Sequence, residues 1–153
     1  MKKTILITGA SGWLGMNLVN TFLNGIDLYE ETKNLSENVS INVFIQKNEY
    51  DHCYQYFKDK INYFFGDIRS FNDCKNFTKN FENATLFHLV GLIHPNKIKD
   101  LYSINLEGTK NIHQACLDSG IKKVVTLSSN SPFGVNNSSE APFNNLSKYN
   151  PYL

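Results

Sequence analysis

The stretch that most limits what this chain can become is its first fifteen residues, with Lys3-Thr4-Ile5-Leu6-Ile7-Thr8 running into Gly9-Ala10-Ser11-Gly12-Trp13-Leu14-Gly15. A short β-branched apolar run stops at a glycine-rich turn, and a helical pattern starts inside that turn. The three glycines, spaced G-x-x-G-x-x-G, have separate tasks. Gly9 lets the chain leave the strand sharply, Gly12 lets a ligand approach the backbone, and Gly15 lets the helix pack closely on the strand. The helix that begins here directs free N–H groups and the positive end of its dipole at the space above the turn, which suits a diphosphate. Glycines alone would be a weak signal, but a strand before and a helix after them point to dinucleotide binding.

The spacing Thr8-Gly9-x-x-Gly12-x-Leu14-Gly15 resembles the extended short-chain dehydrogenase/reductase superfamily, the NAD(P)-dependent epimerases and dehydratases, rather than the G-x-G-x-x-G of other Rossmann enzymes. The resemblance implies an α/β Rossmann fold: a doubly wound parallel sheet in the order 3-2-1-4-5 with helices on both faces. Backbone and side-chain contacts from Gly9, Ser11, Gly12, Trp13, Leu14 and Gly15 would then hold the cofactor.

Bulk properties agree with one such domain. At 153 residues the chain can bury about 68–70% of its unfolded surface. A net charge of +1 with 41% hydrophobic residues gives no basic stripe for nucleic acid and no span for a membrane. Lys2 and Lys3 precede only a strand-length apolar run, so no signal peptide is read. Cys53, Cys74 and Cys116 are dispersed, which fits incidental or buried thiols in a cytoplasmic protein. His52, His88, His94 and His113 have no metal-site spacing, and no structural metal is expected.

After Gly15, Leu14, Leu18 and Phe22, flanked by Val19 and Leu23, recur at helical spacing, and Gly25 supplies the stop. Residues 26–40 carry no period and are read as an insertion or long loop. Ile41–Ile45 is the second strand. Its end, Gln46-Lys47-Asn48, has no acid for a ribose 2′-hydroxyl, so Lys47 is taken to meet a 2′-phosphate, which tilts the choice from NAD toward NADP. Residues 49–60 suit a helix and Ile61–Phe65 the third strand. The following Gly66-Asp67-Ile68-Arg69 resembles the family motif in which the aspartate binds the adenine amine and the next residue's backbone meets the ring. Asp67 or Ser70 could instead cap a helix over 71–80.

The fourth strand, Thr85–Gly91, is almost continuously apolar, as a buried parallel strand should be. Its His88-Leu89-Val90-Gly91 resembles the family's H-[LV]-A-[AG], placing Leu89, Val90 and Gly91 against the cofactor, with His88 read as a satisfied core histidine. A helix over 98–119 carries Leu101, Asn105, Gly108, Ile112 and Ala115 on one face. Its Asn105 resembles the asparagine of N-[VL]-x-G-T that braces the active-site region.

The fifth strand, Lys123–Leu127, leads into Ser128-Ser129-Asn130-Ser131-Pro132-Phe133-Gly134, similar to the family's S-S-x-x-V-Y-G. By that register Ser129 is the catalytic serine and Ser128 lies beside the nicotinamide. Ser139-Glu140-Ala141-Pro142-Phe143 resembles the loop that leads to the catalytic Y-x-x-x-K. That motif is not reached: Tyr149 has Leu153 where a lysine should stand, and Tyr152 has no residue four positions on. The chain is therefore expected to stop before the later strands and the substrate domain, and to be inactive by itself.

The resemblance implies an oxidoreductase of epimerase or dehydratase type, in which a lysine-assisted tyrosine exchanges a proton with a substrate hydroxyl. The partner would be a small molecule, a nucleotide-activated sugar first of all, and the full-length form could pair as a homodimer. Two alternatives stay open: an NADP-dependent reductase of small carbonyl compounds, and a non-catalytic protein that binds the dinucleotide as a sensor.

Overall fold

A computed structural model describes residues 2–129, 131–135 and 142–150. The Ser139–Ala141 part of the loop motif and Tyr152 lie outside the described residues. Five parallel strands, β1 (Lys3–Thr8), β2 (Val39–Ile45), β3 (Asn62–Phe65), β4 (Thr85–His88) and β5 (Lys123–Thr126), form one sheet in the order β3-β2-β1-β4-β5. The expected α/β topology is thus the observed one. β1 sits at the centre, with Thr8 opposite Phe44 of β2 and His88 of β4. All strand ends that could face a ligand therefore lie together.

Alternation along β1 sends its side chains into two separate cores. Ile5 and Ile7 pack with Val19 of α1 (Trp13–Asn24) and with Cys53 and Phe57 of the helix over Tyr50–Phe57. Leu6, on the other face, joins Cys74 and Phe77 of the helix over Phe71–Thr78 and Ile112, Ala115 and Cys116 of the helix over Thr109–Asp118. Helices thus cover both faces of the sheet. The three thiols are buried, and burial pushes them up to about 11 to 12. That matches inert core cysteines.

Several boundaries differ from the sequence reading. The segment after α1 is not a plain loop. It contains a 3₁₀ turn over Glu30–Thr32 and one helical turn over Leu35–Asn38, and β2 already begins at Val39. Thr32 holds the first part together: its hydroxyl accepts from the Ile26 N–H at 2.8 Å and lies 2.7 Å from the Tyr29 carbonyl. These bonds are local and leave no periodic trace in sequence. Ser70, not Asp67, caps the Phe71 helix, accepting from the Asp73 N–H at 3.3 Å.

The single helix expected over 98–119 is a composite. Ile98–Asp100 is α-helical, Leu101–Gly108 is wound as a π-helix, and Thr109–Asp118 returns to α. The wider winding re-aims the side chains of its middle section. Among the described residues no helix is long and apolar enough to cross a membrane.

His88 is a satisfied core histidine. It is 2% exposed, with Nδ1 2.7 Å from the Thr8 hydroxyl and Nε2 2.9 Å from that of Thr109. Burial, with a smaller contribution from His113, pulls its pKa down to about 4.

Candidate active site: a cleft at the strand ends

At the C-terminal ends of β1, β2 and β4 the chain encloses a cleft. The turn residues Gly9, Ser11 and Gly12 form one wall, and Leu89, Val90, Gly91 and Leu92 after β4 form another. Phe44, Ile45, Gln46 and Glu49 close it on the β2 side, with Gly66, Asp67 and Ile68 beyond them. Such a crevice is where open α/β sheets take ligands.

The glycines of the turn differ in why they are there. Gly9 has φ +77°, and a Cβ on it would come within 2.7 Å of the Val90 nitrogen. A Cβ on Gly15 would overlap the Gly9 carbonyl oxygen and come within 2.6 Å of the Ala10 Cα. Both positions are required by the protein's own packing. Gly12 is not: its φ is −77°, and an added Cβ would meet only the Gly9 carbonyl oxygen at an ordinary 3.5 Å. Gly91 is similar, with nothing within 4 Å of an added Cβ. Both of these unconstrained glycines line the cleft.

Gly12 also caps α1. The first bond into the helix runs from the Met16 N–H to the Gly12 carbonyl at 2.8 Å, so the preceding helical N–H groups point out of the N-terminus. No acidic side chain stands in that first turn. The positive end of the helix, with no acid in its own first turn, thus faces the cleft. Trp13 and Leu14 offer it only backbone: the Trp13 side chain is 83% exposed and neither residue lines the cleft. Gly15 lies behind, under the turn.

Asp67 lines the far end, and its carboxylate is already clasped. The Arg69 N–H donates to Oδ1 at 2.9 Å, and the guanidinium donates to both oxygens, the shortest bond being 2.5 Å. Hydrogen bonding from Arg69 holds the carboxyl below its ordinary pKa, so it stays charged. The Asp67 N–H is fixed in turn by Asp73 at 3.0 Å. Ile68 buries its side chain in the core, and its carbonyl accepts from Asn111 at 3.1 Å.

Asn105 does not line the cleft but controls a residue that does. Its Oδ1 accepts from the Leu92 N–H and its Nδ2 donates to the Leu92 carbonyl, both at 2.8 Å. The π-winding over Leu101–Gly108 presents it to the strand-end loop. It thus holds the Leu92 backbone by both its N–H and its carbonyl.

Other expected residues lie apart from the cleft. Lys47 lines a separate hollow with Asn42, Tyr50, Asp51 and Tyr63. Ser128 and Ser129 follow β5 at the same end of the sheet, exposed and outside the lining. The Ser129 hydroxyl lies 2.8 Å from that of Ser131. Tyr149 packs its ring on Phe133, centroids 5.2 Å apart, rather than on Ser129. Conversely, sequence reasoning passed over Glu49 as a site residue. Its carboxylate accepts from the Ser11 hydroxyl and from the Gln46 N–H, each at 2.7 Å. The Gln46-x-x-Glu49 spacing, that of a capping box, was the available signal.

Comparison with known proteins gives the following. The family model described as the NAD dependent epimerase/dehydratase family matches residues 5–152. An uncharacterized protein, y4nL, of Sinorhizobium fredii is 31% identical over 148 residues, covering 97% of this chain and 40% of its own length. The bovine sterol-4-alpha-carboxylate 3-dehydrogenase (decarboxylating) is 27% identical over 128 residues, covering 83% of this chain and 30% of its own. Among solved structures, the UDP-Glc/GlcNAc 4-epimerase of Campylobacter jejuni superposes with a TM-score of 0.77 at 19% identity, over 98% of this chain and 44% of that one. The chain thus spans less than half the length of each of these three proteins.

Proposed function

The chain belongs to the NAD dependent epimerase/dehydratase family, and from that premise we propose that it is the cofactor-binding half of a nicotinamide-dependent oxidoreductase acting on a nucleotide-activated sugar. The observation that carries the reading is the pair of glycines, Gly12 and Gly91, that the protein's packing does not require and that both face the cleft. A backbone bare of side chains on two opposing walls fits a ligand that passes close to both. The N-terminus of α1, with no acid in its own first turn, fits its diphosphate. Asp67, kept ionised by Arg69, fits the exocyclic amine of adenine.

When bound, the cofactor supplies a hydride donor or acceptor. The chain's own residues then have distinct tasks. The turn amides bind and orient the diphosphate, and Asn105 keeps Leu92, and with it the Gly91 wall, in place. Ser128 is assigned to the nicotinamide side. Ser129 stands at a strand end with its hydroxyl able to donate to a substrate oxygen, the kind of fixed donor that stabilises developing negative charge. The sugar-nucleotide substrate is favoured by the likeness in fold to the 4-epimerase, and the sterol dehydrogenase marks the competing substrate class.

Calorimetric titration with NAD tests the reading. The wild-type chain is expected to bind, and Gly12→Val, which puts a branched side chain into the cleft, is expected to remove binding while the chain stays folded. Unchanged affinity in a folded Gly12→Val chain would reduce the glycine pattern to a packing turn. A thermal-shift panel of UDP, dTDP and GDP then addresses the substrate. Stabilisation by one of them is expected, and none by any would count against a nucleotide sugar.

A further inference from the structure

The sheet ends at β5 on one side and at β3 (Asn62–Phe65) on the other. β3 pairs in parallel with β2, Ile45 opposite Phe65, and the Gly66 N–H donates to the Ile45 carbonyl at 3.1 Å. In such a strand alternate residues turn both backbone groups to the same side. Asn62 and Phe64 therefore bond to β2, while Tyr63 and Phe65 hold their N–H and C=O groups outward. Among the described residues nothing pairs with these outward groups. Edge strands are commonly guarded by lysine, proline or a bulge. Asn62-Tyr63-Phe64-Phe65 has none of these, and its register with β2 is unbroken. Aromatic rings gather there instead. The Tyr50 ring centre lies 5.1 Å from that of Tyr63 and 5.5 Å from that of Phe65, and Phe65 is 51% exposed.

We propose that β3 is a docking edge for a second copy of this chain, the two β3 strands pairing antiparallel about a two-fold axis through Phe64. The occupant follows from the stereochemistry of the edge. A two-fold axis perpendicular to the sheet keeps each face on its own side. Setting Tyr63 opposite Phe65 of the other copy then turns every outward N–H and C=O of one strand toward the other, and each such pair exchanges both its bonds. The same register brings aromatic against aromatic at Tyr63 and Phe65, and Phe64 against Phe64, cross-strand pairs of a stabilising kind. Antiparallel pairing also keeps Lys58 and Lys60 of the two copies apart, each set beside the Asp67–Arg69 end of the other copy. So short a contact buries less than a standard interface, which makes the dimer weak and concentration-dependent. None of this depends on what the cleft binds.

Analytical ultracentrifugation tests the proposal in Val125→Lys, which charges the other edge strand and so suppresses association through β5. A reversible monomer–dimer equilibrium is expected. Adding Phe65→Lys, at an exposed position outside the cleft lining, should weaken it about tenfold or more through loss of two aromatic pairs. The melting temperature of the dilute protein should not fall. Amide hydrogen exchange in Val125→Lys identifies the strand. Exchange at Tyr63 and Phe65 should slow as concentration rises, while Asn62 and Phe64, already bonded to β2, change little. A chain that stays monomeric at millimolar concentration overturns the proposal, as does a dimer that Phe65→Lys leaves intact. Protection that grows at β5 or on a helix, with Tyr63 and Phe65 unchanged, overturns it too.

Discussion

At the scale of single residues, two glycines three positions apart should behave in opposite ways. Gly15→Ala forces a Cβ onto the Gly9 backbone, so it should lower the melting temperature sharply, as overpacked sites cost about 1–3 kcal/mol or more. Gly12→Val has room and an ordinary φ; as a lost glycine cap it should cost about 1 kcal/mol, with the main effect on cofactor binding. Thermal melts of the two variants, side by side, check this; equal losses would mean that both glycines serve packing alone. His88 makes a second prediction. Its native pKa lies near 4, below its ordinary 6.5, because burial disfavours the imidazolium. Between those values the unfolded chain binds the proton and the native one does not. The stability is therefore fully present above pH 6.5 and is lost as pH falls toward 4, by about 3 kcal/mol at most. Denaturant midpoints across that window should fall in the wild type and flatten in His88→Asn.

At the scale of elements, the π-helix is the part of the site most open to test. Asn105→Ala removes both bonds to Leu92, each worth about 1 kcal/mol, and should loosen the loop after β4. Faster amide hydrogen exchange at Leu92 and weaker dinucleotide binding, with the far face of the sheet unchanged, are the expected results. Unaltered exchange would make Asn105 a bystander. The same elements mark where sequence was readable. Strands and their order were legible because β1 and β2 are apolar runs closed by turn residues, and the Gly9–Gly15 turn declares its neighbours. Asp67 and Asn105 were singled out because short motifs fix their register. Glu49 was missed because a three-residue 3₁₀ turn has no periodicity, and reading only the residues directly after β2 made Lys47 look like the cleft residue. The π-winding was missed for a related reason: its side chains still recur at nearly helical spacing. The structure within 26–38 depends on Thr32 bonds that no composition announces.

At the scale of the molecule, β5 is an edge strand whose residues are all exposed, Val125 at 48% among them, and Leu127 just beyond it at 57%. An unpaired apolar edge of this kind invites association. The chain as it stands should therefore self-associate, and Val125→Lys should reduce light scattering at equal concentration without lowering the melting temperature. Equal scattering would place the association elsewhere. Among the described residues the Ser129 hydroxyl is partnered by the Ser131 hydroxyl at 2.8 Å and the Ser131 N–H at 3.1 Å. All of this depends on one central claim, that a nicotinamide dinucleotide lies across the glycine turn between Gly12 and Gly91. Backbone amide resonances followed during titration with NAD test it most directly, and remain informative for weak binding. The account predicts the largest shifts at Gly12, Trp13, Leu14, Asp67 and Gly91, with little change in the hollow around Lys47, Tyr50 and Tyr63. Shifts centred on that hollow, or no shifts at saturating NAD, would contradict it.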